Sequence, residues 1–136
     1  MDEALIAAYR GTDYRVRLAG GGYASIRIGQ PLPASLAPWV NEYPWGFITA
    51  WNPRSQPLSR AHNRQAQRLL LRALRESPAT RQIAAGVGIG SNGWKERSLF
   101  VVGPEAGPLD ALARRFGQHG YVYGRGNGTA QLRLPP

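Results

Sequence analysis

The order of apolar runs in this chain predicts an α+β domain: a two-layer sandwich with a mainly antiparallel sheet and two main helices on one face. Three observations carry that expectation. Phe47 to Trp51 is a densely apolar run that suits a central strand covered on both faces. A strongly two-sided helical pattern follows, from Arg60 to about Glu76. Between residues 45 and 125 the elements then run strand, helix, strand, strand, helix, strand, the order of a ferredoxin-like βαββαβ core. An N-terminal hairpin and a C-terminal strand would extend the sheet.

Taken in order, Glu3 to Arg10 reads as a short helix with Leu5, Ile6 and Tyr9 on one face, stopped by Gly11. Tyr14, Val16 and Leu18 alternate with Arg15 and Arg17, the period of a half-buried strand. Ala19 to Gly22 is a hairpin turn, and Ala24, Ile26 and Ile28 mark the returning strand. Pro31, Pro33 and Pro38 make the next stretch a loop with at most one helical turn, around Ser35 to Val40. The third strand is expected over Trp45 to Trp51, with Ile48 and Ala50 on one face and Phe47, Thr49 and Trp51 on the other. Asn52-Pro53 ends it.

Ser59 is a good N-cap for the long helix. His62, Ala66, Leu69, Leu70, Ala73 and Leu74 form its expected buried stripe, with Asn63 at the edge of that stripe. Arg60, Arg64, Arg68 and Arg72 follow one another four residues apart on the opposite side, with Arg75 beside them. Like charges at that spacing repel by a few tenths of a kcal/mol per pair, so the ridge is tolerated rather than optimal for stability, and a solvated helix face explains it as readily as phosphate binding. Ile83 to Gly90 and Leu99 to Val102 read as strands around an Ser91-Asn92-Gly93 turn. Gly107-Pro108 opens a second helix with Leu109, Leu112, Ala113 and Phe116 buried, and Gly117 as its stop. Tyr121 to Arg125 and Thr129 to Leu134 close the chain as a hairpin.

At 136 residues the chain is read as one domain, with residues 1–12 a short helix or tail. It has no cysteine, which excludes disulfides, thiolate metal sites and a cysteine nucleophile. Two histidines, His62 and His119, argue against a zinc site, and no cofactor motif is legible. No apolar run approaches the roughly 20 residues of a membrane helix, and the N-terminus lacks a secretory pattern, so a cytoplasmic protein without membrane contact is expected. Lys and Arg total 17 against 8 acids, for a formal charge of +9, and Lys95 is the single lysine. Arginine grips phosphates as a planar fork, so the skew is compatible with nucleic acid or a phosphorylated small molecule as partner; arginine-rich codon usage explains it equally well.

Several motifs compete. Gly88 to Gly93 spells GxGxxG, but a strand follows where a dinucleotide site needs a helix, so it reads as a hairpin. GYVYGRGNG puts Tyr121 and Tyr123 on one face, as in base-stacking RNA-binding strands; cross-strand support of the sheet is the commoner use. The polar set Asn52, Ser59, Asn63, Trp94, Glu96, Ser98 and Gln118 is the strongest site candidate. Glu96, flanked by Lys95 and Arg97, is expected to stay ionised and to anchor rather than to donate protons. These same residues also make sense as turn, cap and ion-pair residues.

FITAWNP with the following Ser59 and Asn63, WKERS (Trp94 to Ser98), RRFGQ (Arg114 to Gln118) and the leading AAYRGTDYRV together resemble the small bacterial domain-of-unknown-function family 3293. The resemblance implies a stand-alone bacterial domain and makes Asn52, Pro53, Ser59, Asn63, Trp94, Glu96, Ser98 and Gln118 motif positions. It implies no activity.

Three functions are therefore expected to compete. One is a module binding nucleic acid or a phosphorylated ligand through Arg60, Arg64, Arg68, Arg72 and Arg75. The second is a small hydrolase or transferase with Glu96 as acid/base in a pocket with Asn52 and Asn63, which requires those side chains to converge. The third is a protein-interaction adaptor using exposed Trp39, Tyr43 or Trp45. Binding is favoured over catalysis, since no dyad or triad is legible.

Overall fold

The computed structural model describes residues 2–136 and contains four α-helices around a seven-stranded sheet. In chain order these are α1 (Glu3–Arg10), β1 (Asp13–Arg17), β2 (Tyr23–Ile26), α2 (Ala37–Val40), β3 (Pro44–Ile48), α3 (Arg60–Glu76), β4 (Gln82–Ile89), β5 (Lys95–Val102), α4 (Ala106–Arg115), β6 (Tyr121–Arg125) and β7 (Gln131–Arg133). The strands lie in the order β2-β1-β4-β5-β3-β6-β7, and every neighbouring pair is antiparallel. No helix among the described residues is long and apolar enough to cross a membrane.

The sheet curls until its two ends meet. Gly29 N–H donates to Ala130 O (2.8 Å), Ala130 N–H to Gln30 O (2.9 Å) and Leu32 N–H to Gly128 O (3.1 Å), so the chain leaving β2 pairs with the chain entering β7. Curling gives the sheet an inner and an outer face, and period-two alternation sorts side chains between them. Val16, Ile26, Leu36, Val40, Trp45, Phe100 and Val102 fill the inner face. Ile48, Leu70, Leu74, Leu99, Val101, Leu109 and Ala113 build the outer core, where α3 and α4 pack. Both main helices thus share one face, as expected. The two-layer description is incomplete, however, because the opposite face is closed by the curl and by residues 34–40 instead of facing solvent.

Fully buried leucines such as Leu70 and Leu74 each contribute about 2 kcal/mol through removal of apolar surface from water. Glycine allows the closest approaches. The Trp45 indole lies on Gly124, where a Cβ would come within 2.5 Å of the ring, and its Nε1–H donates to Gly126 O at 3.2 Å. Trp45 is therefore fully buried, contrary to the expectation of an exposed interaction residue, and Trp39 is half-buried against the same core.

Two boundaries differ from expectation. The third strand stops at Ile48, three residues early, because the Thr49 hydroxyl replaces the ladder: it donates to Arg97 O (2.6 Å) and accepts from Trp51 N–H (3.0 Å). On α3 the buried stripe is centred on Asn63, which is 2% exposed, followed by Leu70 and Leu74. His62, expected inside, is exposed. At 100° per residue, placing Asn63 inward turns its neighbour out.

Candidate functional site

At one end of the inner face, beyond the packed core, the sheet encloses a cavity of about 300 Å³. Its floor is Phe47 of β3, Tyr14 of β1 and the bare backbone of Gly88 in β4. A Cβ at Gly88 would meet only Thr12 Cγ2, at 3.6 Å, so this glycine keeps space open. The amphipathic α1 forms one wall with Leu5, Ala8 and Tyr9. It is held by Tyr14 Oη donating to Tyr9 O (2.6 Å) and Tyr9 Oη donating to Gly120 O (3.3 Å). Burial pushes the Tyr9 phenol up to about 12, with the negative charge of Glu96 adding to the effect, and raises Tyr14 as well. Both phenols therefore stay protonated donors at neutral pH.

The polar wall comes from β5 and two loops. Alternation along β5 sends Glu96 and Ser98 inward with Phe100, and Lys95 and Arg97 outward. Glu96 therefore makes no ion pair with its sequence neighbours among the described residues. The expectation that flanking cations hold it ionised is corrected: burial raises its pKa, and donors on Trp94 and Asn52 pull it only part of the way back.

Asn52 is the pivot. Its N–H donates to Asn63 Oδ1 (2.8 Å), and its Oδ1 accepts from Asn63 Nδ2 (2.7 Å) and Leu58 N–H (3.0 Å). With the carbonyl end committed, its Nδ2 faces Glu96 Oε2 at 3.4 Å. This placement requires a left-handed backbone at Asn52 (φ 47°, ψ 66°), followed by Arg54 (φ 56°) and Ser55 (φ 59°). Asparagine tolerates that region; arginine and serine there cost of order 1 kcal/mol or more each, and such strain concentrates at functional sites. The loop is braced by the turn after α4: Arg54 N–H donates to Gly117 O (2.6 Å), and Gln118 Nε2 donates to Trp51 O (3.2 Å).

The rim is the β4–β5 hairpin. Gly93 (φ 84°) donates to Gly90 O, and Asn92 Oδ1 accepts from Trp94 N–H at 3.0 Å, which sets Trp94, 47% exposed, at the mouth. GxGxxG is thus a hairpin, as expected.

Of the polar set read from sequence, Asn52, Trp94, Glu96, Ser98 and Gln118 line this one cavity. Asn63 stands behind Asn52 and orients it without reaching the cavity. Ser59 lies outside, capping α3 through His62 N–H (3.1 Å). Sequence reasoning missed the aromatic half of the site: Tyr9, Tyr14 and Phe47. The alternation in β1 and β3 and the helical spacing in α1 did assign these side chains to faces; only the curl tells that the faces enclose a space.

Elsewhere, Arg60, Arg64, Arg68, Arg72 and Arg75 are all exposed, and none forms an ion pair among the described residues. The base-stacking possibility does not survive: Tyr121 is buried, its Oη donating to Asp110 Oδ1 at 2.6 Å, and Tyr123 packs edge-on against it. Tyr43 is exposed but covered on one face by the Arg81 guanidinium, 4.0 Å from its ring centre.

Residues 48–120, which span Asn52, Asn63, Trp94, Glu96, Ser98 and Gln118, match the family described as "Protein of unknown function (DUF3293)". The chain belongs to that family. Within this DUF3293 protein the matched stretch supplies the polar wall of the cavity and the helices behind it, whereas α1, β1 and Phe47 fall before it. No curated protein and no solved structure matches the chain.

Proposed function

We propose that this protein is a binding module for a small molecule held in the cavity beneath α1. The observation that supports this reading is convergence: Asn52, Trp94, Glu96, Ser98 and Gln118, distant in sequence, share one aromatic-floored cavity with a locked amide and a carboxyl that has no ion-pair partner among the described residues. Concave, mostly apolar sites with a few fixed polar groups are where small ligands bind. Among the described residues the cavity is lined by no lysine, arginine or histidine, so a phosphorylated ligand finds no counter-charge from them there. The test is a ligand-observed NMR screen of a fragment library against wild type and Gly88→Leu, which fills the floor. Hits lost in Gly88→Leu support the reading; hits that ignore the substitution, or none at all, contradict it.

A hydrolase or transferase would use the same cavity, with Glu96 as general acid, since burial raises its pKa in the direction that role requires. Turnover of a cavity ligand that vanishes in Glu96→Gln while binding persists would select that version.

A second reading rests on a different observation, the five exposed arginines of α3, none with an ion-pair partner among the described residues. We propose this ridge as the place where nucleic acid or another polyanion would bind, through phosphate contacts weakened by salt. Within the fold, we read β3 to β6 as a ferredoxin-like core; the order β4-β5-β3-β6 and the sharing of one face by α3 and α4 support this. A bacterial cytoplasmic setting belongs to the same proposal.

A further inference from the structure

Resting on the cavity as a binding site, we infer that its ligand is a small organic cation carrying N–H donors, an amine or amidinium on a flat apolar body, seated on Glu96 and enclosed by Tyr9, Tyr14, Phe47 and Trp94. Among the described residues Glu96 is the only carboxylate lining the cavity, and no cationic side chain lines it. A carboxylate withdrawn from water without a counter-ion is costly, and a ligand cation supplies the missing partner. An anionic ligand would instead bring a second negative charge to a site with nothing to neutralise it.

The acceptor side is also open. The donors reaching the Glu96 carboxylate are the Trp94 side chain and Asn52 Nδ2, the latter at a long 3.4 Å to Oε2, whereas an ionised carboxylate has about four lone-pair sites. Asn52 cannot turn to offer its oxygen, because Asn63 Nδ2 and Leu58 N–H already occupy it. The two carbonyl groups that hold α1 are likewise taken by Tyr9 and Tyr14 hydroxyls. Glu96 is thus the charged acceptor open to a ligand's N–H groups among the described residues.

The rest of the wall is aromatic. Tyr14 and Phe47 meet edge to face with centroids 5.2 Å apart, Tyr9 descends from α1, and Trp94 stands at the mouth. Aromatic rings attract cations through their quadrupoles, most strongly where water is excluded. A volume of about 300 Å³ suits a single-ring ligand rather than a nucleotide or a peptide. The formal +9 of the chain opposes a cation at long range, so added salt should strengthen this binding slightly, the reverse of what it does to a polyanion on α3.

Benzamidinium, neutral benzamide and benzoate, three probes of one shape and different charge, test the inference by calorimetry on the full chain at mildly alkaline pH. Benzamidinium is expected to bind about ten-fold or more tighter than benzamide. Benzoate is expected not to bind, and Glu96→Gln should bring benzamidinium down to the level of benzamide. Should Glu96→Gln fail to fold, the ratio of the two probes on wild type and their loss in Gly88→Leu carry the test alone. Equal binding of benzamidinium and benzamide, both abolished by Gly88→Leu, overturns the charge preference and leaves the cavity a binding site. Binding of any probe unaffected by Gly88→Leu, or of none, overturns both readings.

Discussion

The cavity and the α3 ridge are built from opposite materials, and their difference separates residues that fold the protein from residues the fold merely tolerates. In the cavity one carboxylate sits among aromatics, held by a neutral amide that is itself locked by a second amide. On the ridge, arginines repeat four residues apart in full solvent without an ion-pair partner among the described residues. Removing either amide of the first arrangement leaves buried polar groups unpaired. The second can be removed with a small gain in helix stability. A function at the cavity should be coupled to stability, and a function at the ridge should not.

The largest expected effect comes from Asn63→Ala. It leaves Asn52 N–H without an acceptor and its Oδ1 short of a donor, both buried, and should cost about 2–4 kcal/mol by chemical denaturation. A cost below about 0.5 kcal/mol would mean that the amide pair does not hold the loop. Next in size is loss of ligand binding in Glu96→Gln, set out above, with no loss of stability.

Replacing Arg60, Arg64, Arg68, Arg72 and Arg75 by glutamine should leave the cavity probes unaffected and raise stability by up to roughly 1 kcal/mol. If the ridge binds an oligonucleotide, the same variant should lose that binding, and each arginine removed should flatten the salt dependence by about one counterion. Loss of cavity binding in this variant would erase the distinction between the two regions.

Two carboxyls sharpen the comparison through pH. Burial raises the Glu96 pKa, so its contribution to stability is fully present below the unfolded value and declines as pH rises through the folded one. Glu96→Gln should therefore be more stable than wild type at neutral pH, with the gap closing in acid. The charged and titratable groups facing Glu96 are the Tyr9 and Tyr14 phenols, which stay neutral across that range. Asp110 behaves oppositely. Its bidentate contact with Arg133 (3.0 and 2.7 Å), together with the Tyr121 hydroxyl, holds its pKa low. Its stabilisation is present above the unfolded value and lost as pH falls through the folded one, so Asp110→Asn should be less stable at neutral pH and converge with wild type in acid. Thermal unfolding of both variants across pH reads the two signs; a shared sign would contradict the burial assigned to Glu96. The smallest effect belongs to His62→Ala, expected within about 0.5 kcal/mol of wild type because the imidazole is exposed.

The element order and the facing of side chains were legible in the sequence because they depend on local periodicity. β1, β2, α3 and α4 lie close to where alternation, caps and glycine stops put them. Asn63 was placed at the stripe's edge because hydropathy treats a polar residue as surface; its burial depends on Asn52, eleven positions away, which no local pattern reveals. Glu96 was read through its chain neighbours, yet in a strand the neighbours point the other way, and the group that meets it is Asn52 from another loop. The cavity itself was illegible because it arises from the curl, which depends on the pairing of residues 29–32 with residues 128–130 across almost the whole chain. The polar residues that line the cavity were nevertheless grouped from sequence, since polar residues clustered at element ends in a largely apolar stretch are a local signal.

The most direct test of the cavity as a site is a two-dimensional NMR titration with benzamidinium. Trp94 lines the cavity, while Trp39, Trp45 and Trp51 do not and serve as internal references. The expected result is a saturable shift of the Trp94 indole N–H and of the Asn52 and Asn63 side-chain amides, absent in Gly88→Leu, with the other three indoles unmoved. Shifts confined to α3, or spread evenly over the four indoles, would contradict it.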